Sequence, residues 1–174
     1  PIKLNGSSKP KINKNNYTYM KGDKNEVPGT FDFTGPGGER RLKYKLSKNY
    51  DTHDIYTDKE GYTTFVVERQ YKDETRQEKI FFPHTKQKNK IDSSTRWQST
   101  AMPKPRTNYN LHKLVNARQS SVIVCEGEKA ADAYIKLNLM PCTTRSGGAK
   151  QVLKNDWEHL LDVTTIILFP DSDD

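Results

Sequence analysis

Acidic residues stand directly after two apolar runs in this chain. Ser121-Val122-Ile123-Val124-Cys125 leads into Glu126-Gly127-Glu128-Lys129, and Thr165-Ile166-Ile167-Leu168-Phe169 leads into Pro170-Asp171-Ser172-Asp173-Asp174. Between them, Pro141-Cys142-Thr143-Thr144 leads into Arg145-Ser146-Gly147-Gly148. Continuous apolar runs bounded by turns are the pattern of parallel strands buried on both faces. In parallel α/β sheets, function collects at the carboxyl ends of the strands. Glu126, Asp171 and Asp173 are therefore expected to converge on one sheet edge. Three carboxylates at close quarters repel unless cations compensate them. Hard oxygen donors of this kind suit Mg²⁺ or Mn²⁺, with waters and substrate phosphates completing the shell. Asp171 and Asp173 are two apart, so they point the same way in an extended segment. Gly127 is expected to let the chain turn sharply and to keep the entrance open. Arg145 and Lys150 flank the Gly147-Gly148 turn, whose backbone N–H groups would help them hold phosphates. Such a set suits phosphoryl or nucleotidyl transfer, in which the protein supplies position and charge compensation. The plainer reading is a set of strand-end carboxylates that cap loops. Glu128 and Lys129 stay open between a site role and a surface role, and Lys129 and Asp132 have the spacing of an exposed helical pair.

The elements that must position these residues follow from the pattern around them. Residues 128–137 read as a helix with Ala130, Ala131, Ala133 and Tyr134 available for packing. Residues 150–161 read as a second helix, and 164–169 as a third buried strand. The order is β-α-β-α-β, that of a parallel sheet with helices on its faces. Just upstream, 109–118 reads as a short helix with Leu111, Leu114 and Val115 on one face. Residues 31–100 look β-rich. Strands at 54–58 and 62–69 flank Lys59-Glu60-Gly61, a hairpin turn in which Gly61 can take positive φ. A third strand over 78–84 is expected to stop at Pro83, and a fourth spans 95–98. Residues 72–77 are the turn that leads from the second strand into the third. This is a small antiparallel sheet with one wet face. The fold class is α+β to α/β, in three parts. Residues 1–30 form a basic tail or linker without helical or strand period, 31–118 a basic β-rich subdomain, and 119–174 the α/β subdomain. The chain begins at Pro1 and stops at an acidic cluster straight after a strand, so it reads as a fragment of a longer protein.

Composition agrees with two unequal halves. The chain has 174 residues, 32% of them hydrophobic, and a formal net charge of +7. No run of about 20 apolar residues is present to span a membrane. Residues 1–120 carry 24 Lys and Arg against 13 Asp and Glu, a net of +11; residues 121–174 carry 5 against 9, a net of −4. A basic balance favours a polyanionic partner. Arg40, Arg41, Lys43, Lys45 and Lys48 interleave with Tyr44 and Tyr50, as in surfaces that stack unpaired bases and track a backbone. The alternative is a solvated edge strand that lysines protect from aggregation. Arg69 and Arg76 are further candidates for template or nucleotide phosphates. Trp97 reads as a buried anchor in preference to a base-stacking ring, and the four histidines show no catalytic spacing. Cys125 and Cys142 are too few for a zinc site and lie in apolar segments, so they read as reduced core thiols in a cytoplasmic protein.

The run Val124-Cys125-Glu126-Gly127-Glu128-Lys129-Ala130-Ala131-Asp132-Ala133, then Thr144-Arg145-Ser146-Gly147-Gly148, then Ile167-Leu168-Phe169-Pro170-Asp171-Ser172-Asp173, resembles a Toprim domain. It is most similar to the subgroup in DnaG-like primases and primase-helicases of phages, plasmids and mobile elements, with its Glu-Gly-Glu-Lys and Pro-Asp-x-Asp signatures. The hairpin from Tyr56 to Gly61, the strand ending in Glu68-Arg69 and the Tyr109–Leu114 segment also resemble that subgroup. The resemblance covers about residues 54–174. It implies that Glu126 serves in metal binding and general acid or base work, and that Asp171 and Asp173 are a metal-binding pair for Mg²⁺ or Mn²⁺. Lys129, Arg145, Gly147, Gly148 and Lys150 are the candidate nucleotide or phosphate contacts. The resemblance also implies a basic N-terminal subdomain that binds single-stranded DNA template, in agreement with the charge of that half, where Arg40, Arg41, Lys43, Arg69 and Arg76 are the candidate contacts. The implied partners are the template, ribonucleoside triphosphates and a replicative helicase, in the same longer chain or in trans. The chain departs from the family by lacking the cysteines of a zinc-binding module and by stopping before the last strands of a full Toprim sheet. The expected function is that of a catalytic-core fragment of a primase making short RNA primers. A Toprim nuclease and a non-catalytic single-strand-binding module are the alternatives.

Overall fold

Two sheets of opposite kinds share one core. The computed structural model describes residues 16–24, 26, 52–71, 75, 77–116, 120–137, 142–144, 147 and 149–170. The joint expected between residues 118 and 119 lies outside them.

The antiparallel sheet has five strands: β1 (Tyr17–Met20), β2 (Thr52–Thr57), β3 (Thr63–Tyr71), β4 (Lys79–Asn89) and β5 (Thr95–Ser99). The β2–β3 hairpin forms as its sequence predicts. Gly61 takes φ 93°, and Asp58 organises the turn by accepting from the Glu60 and Tyr62 amides at 3.1 and 2.8 Å. Cross-strand register sets Tyr56 opposite Phe65, and their rings stack with centroids 4.3 Å apart. Period-two alternation then puts Asp54, Tyr56, Phe65, Val67 and Arg69 on one face.

Two sequence expectations fail in this sheet. A strand lies within the 1–30 segment: β1 pairs with β4 from Tyr17 opposite Asn89 to Met20 opposite Lys86. Tyr-Thr-Tyr-Met is a β-forming run. It is held by the Arg96 guanidinium 4.6 Å from the Tyr17 ring and by Tyr19 donating to the Thr64 carbonyl at 3.1 Å. Nor does Pro83 stop β4, which runs six residues past it. The Pro83 carbonyl accepts from the Thr100 amide at 3.2 Å, just beyond the end of β5. In an antiparallel strand a residue's nitrogen and carbonyl face the same neighbour, so the missing N–H falls where that ladder ends. Trp97 is a buried anchor, as expected, with its indole N–H on Glu26 at 2.8 Å.

The second sheet is parallel, in the order β7 (Cys142–Thr144), β6 (Ser121–Cys125), β8 (Thr165–Phe169). Helix α1 (Leu111–Asn116) precedes β6, and α2 (Glu128–Lys136) follows it. Central β6 is buried on both faces. Ile123 and Cys125 join Tyr56, Phe65, Val67, Tyr109 and Ala131 in the core between the sheets. Val122 and Val124 pack with Leu111, Leu114 and Leu160 on the other side.

The expected helix over 150–161 is instead two short 3-10 segments, Ala149–Lys154 and Glu158–Leu160. The backbone between them is bonded sideways: Arg106 N–H reaches the Lys154 carbonyl at 2.8 Å, and Asp156 N–H reaches the Arg106 carbonyl at 2.9 Å. The Trp157 indole takes the Val152 carbonyl at 2.9 Å, and Asn155 donates to Asn108 at 3.0 Å. These bonds replace the i to i−4 ladder. Strand β8 is also less buried than its apolar run predicts. Ile167 packs against the core beside α2 and Phe169 meets Tyr134 at 5.0 Å, but Ile166, Leu168 and Phe169 are all exposed. β8 pairs with β6 alone among the described strands, and α1 with the Glu158–Leu160 turn covers β6 without reaching it. Among the described residues no helix is long and apolar enough to cross a membrane.

Candidate active-site cleft

The carboxyl ends of the parallel strands are level. Cys125 is opposite Thr144 of β7 and Phe169 of β8, so Glu126 and Pro170 are the next residues after two paired ends. Glu126, Gly127, Glu128 and Gly147 form one wall of a cleft of about 470 Å³. Val67, Phe81 and Pro83 of the antiparallel sheet, with Met102 from the segment after β5, form the other, so an apolar wall faces a carboxylate-bearing one.

The two glycines do different work. Gly147 has φ +85°, and a Cβ there would meet an Arg106 guanidinium nitrogen at 2.8 Å. Only glycine fits that turn without strain. The chain bends at Glu126 and Gly127, as the sequence suggested, but Gly127 has φ −140° and ψ 162°, an extended conformation open to any residue, so the bend does not require glycine. A Cβ on it would meet nothing within 4 Å. Its missing side chain leaves the mouth of the cleft open.

Behind Glu126 lies a polar network that joins the sheets. Tyr56 donates to Glu128 Oε1 at 2.5 Å. Arg69 Nη2 donates to Asp54 Oδ2 at 3.1 Å and stands 3.7 Å from Glu128 Oε2. Its guanidinium lies 5.7 Å from the Phe81 ring centroid. Tyr109 donates to Asp132, the third carboxylate of the group, at 3.1 Å. Burial and the neighbouring Glu128 and Asp132 charges push the Asp54 carboxyl up to about 7, against the pull of Arg69. Burial and Glu128 hold the Tyr56 hydroxyl well above the ordinary phenol range.

The sequence-expected site residues are distributed as follows. Glu126 and Gly147 line the cleft together. Lys129 is exposed on α2, and Lys150 lies in the first 3-10 segment. Arg69 is buried in the network rather than on a surface. Arg40, Arg41, Lys43, Arg76, Arg145, Gly148, Asp171 and Asp173 lie outside the described residues. Among the described residues no three His, Cys, Asp or Glu are grouped to hold a metal. Glu126 is the one described member of the expected trio, and a carboxylate on a cleft wall is the donor type a hard divalent ion takes.

Sequence reasoning missed the network and missed Arg106. The hairpin carried the signal: Asp54 and Arg69 lie seven and eight residues either side of Gly61, which places them near one another across the strands. Arg106, whose guanidinium burial holds below its ordinary range, had no such signal. It is a single arginine in the proline-rich segment 102–106 that folds over the Gly147 turn. Compared with protein families, curated proteins and solved structures, the chain matches none.

Proposed function

We propose that this chain is the catalytic-core region of a DnaG-like, Toprim-type primase that joins ribonucleotides on a single-stranded DNA template. The observation that carries this reading is the cleft. A carboxylate at the end of a central parallel strand and a positive-φ glycine turn at the end of its neighbour share one wall, opposite an apolar one. A nucleoside triphosphate has complementary parts: a flat base for the Phe81 and Pro83 wall, and phosphates for the glycine turn. Glu126, with Asp171 and Asp173 following β8 in sequence, would hold Mg²⁺ or Mn²⁺, which would neutralise the triphosphate and activate the attacking 3′-hydroxyl. Glu126 and Gly127 present that carboxylate at an uncluttered mouth, and the network behind them fixes where it stands. The net charge of +11 over residues 1–120 supports a nucleic-acid template as the partner of that half.

The test is primer synthesis. The full-length parent and its Glu126→Gln variant are incubated with single-stranded DNA, labelled ribonucleotides and Mg²⁺ or Mn²⁺. Short labelled oligomers that vanish in the variant, while template affinity stays, are the expected result. A variant that synthesises at the wild-type rate refutes the site. Template shortening without new oligomers replaces the primase with a nuclease. An intact template without product leaves a binding module.

A further inference from the structure

On sequence grounds Arg69 is a candidate contact for template or nucleotide phosphates, but the structure buries it. Its side chain is 11% exposed, and one terminal nitrogen serves two carboxylates on different elements. Asp54 belongs to β2 of the antiparallel sheet. Glu128 is the first residue of α2, two positions after Glu126. The same Glu128 carboxylate takes the Tyr56 hydroxyl on its other oxygen. Glu128 is thus gripped from β2 and from β3, and the Glu126-Gly127 turn is suspended between that grip and the end of β6. Gly127 makes no side-chain contact to hold the turn, and the place its Cβ would take is open. Arg69 Nε has no hydrogen-bond partner among the described residues, so the guanidinium is oriented through its Nη2 contacts and the Phe81 ring.

We infer that Arg69 is the positioning residue for Glu126: it clamps Glu128 to the antiparallel sheet and so fixes the turn that carries the cleft carboxylate, instead of binding template. The inference deepens the proposed nucleotidyl transfer and rests on it for its consequence in activity. Its structural content stands separately. Lysine would not replace arginine in this role, because its ammonium lacks the planar guanidinium that lies against the Phe81 ring while Nη2 faces both carboxylates. A template phosphate contact, by contrast, would tolerate lysine.

The experiment compares the full chain with Arg69→Lys, Arg69→Met and Tyr56→Phe. The last keeps the ring stacked on Phe65 and removes only the hydroxyl on Glu128, so it covers the case in which an Arg69 variant does not fold. Amide exchange is followed at Ala131, whose N–H bonds to the Gly127 carbonyl at 3.1 Å. Exchange there should rise about tenfold in each folded variant, with β3 and β6 unchanged. Single-stranded DNA affinity and its salt dependence should not move, while kcat for primer synthesis should fall about tenfold or more. Unchanged exchange at Ala131, with weaker template binding, a salt slope reduced by about one and rescue by Arg69→Lys, would overturn the inference. If the wild type makes no primers, the proposed function fails, and the exchange result alone decides the role of Arg69.

Discussion

Replacing Asp54 by Asn should remove a pH dependence of stability that runs against the usual behaviour of carboxylates. The Asp54 side chain is 8% exposed. Its carboxyl rises from 3.8 to about 7, because burial and the charges of Glu128 and Asp132 outweigh Arg69. One guanidinium is divided between Asp54 and Glu128, so neither is fully compensated. Between those two pH values the folded protein holds a proton that the unfolded chain has released. Stability must then fall as pH rises, with a slope approaching about 1.4 kcal/mol per pH unit. Over the whole interval the contribution is about 4 kcal/mol, present in full below pH 4 and lost as pH rises through 7. Asp54→Asn cannot titrate, yet keeps an oxygen for Arg69. Urea unfolding of both proteins at half-unit steps from pH 4 to 8 gives two curves whose difference reports this carboxyl together with its coupling to Glu128 and Asp132. The wild type should lose stability relative to the variant across that range. A constant difference would show that Asp54 titrates near its ordinary value. A wild type that gains on the variant as pH rises would show that Arg69 governs the group and keeps it ionised.

Two paired substitutions test the geometry of the cleft and of the parallel sheet. Gly147→Ala puts a methyl 2.8 Å from Arg106 at a φ of +85° and should cost about 1–2 kcal/mol in urea unfolding. Gly127→Ala meets nothing within 4 Å and should stay within about 0.5 kcal/mol, while raising KM for the nucleotide by narrowing the mouth. Equal losses in the pair would mean that the two turns are not built as described. Val122, at 2% exposure, should lose about 2 kcal/mol on truncation to Ala. Leu168, at 69%, should lose less than about 0.5 kcal/mol. A large loss at Leu168 would mean that β8 is covered on its outer face.

The sequence carried the strands better than what lies between them. β2, β3, β5, β6 and β8 were legible because each is an apolar or alternating run closed by glycine, proline or charge. Their ends were legible to within a few residues, and with them the meeting of Glu126 and Gly147. The 3-10 path over 149–160 was not. It depends on Asn108 and Arg106, more than 40 residues upstream, taking the backbone and side-chain groups that a helix would have used. Pro83 misled because its effect depends on which neighbour its nitrogen faces, a property of register and not of composition. Gly127 misled in the opposite sense: a glycine beside the cleft carboxylate invites a conformational account, whereas its extended backbone needs none.

The antiparallel half is basic as a whole, but the face it turns to the parallel sheet is not. That face carries Asp54, Tyr56, Phe65 and Val67, with Arg69 held between two carboxylates. Lys86 is likewise committed, to Glu26 at 2.9 Å, and Lys21 to Asp58 at 2.6 Å. Of the described lysines on β4 and its following turn, Lys88 on the face away from Phe81 and Pro83 and Lys90 in the turn are exposed. Under the proposed function, nucleotide and template are therefore gripped on different surfaces of the same sheet. The inner face offers shape and apolar contact to a base in the cleft, and the exposed lysines offer charge to a backbone. Salt should separate the two. Template binding falls steeply with ionic strength because it releases counterions, whereas a base held against Phe81 and Pro83 is held by burial. The affinity of the cleft for a nucleoside lacking phosphates should accordingly stay level between 50 and 200 mM salt, roughly the range over which template affinity collapses. A nucleoside whose binding weakens in step with the template would place both ligands on the lysine-bearing surface and leave the cleft without its occupant.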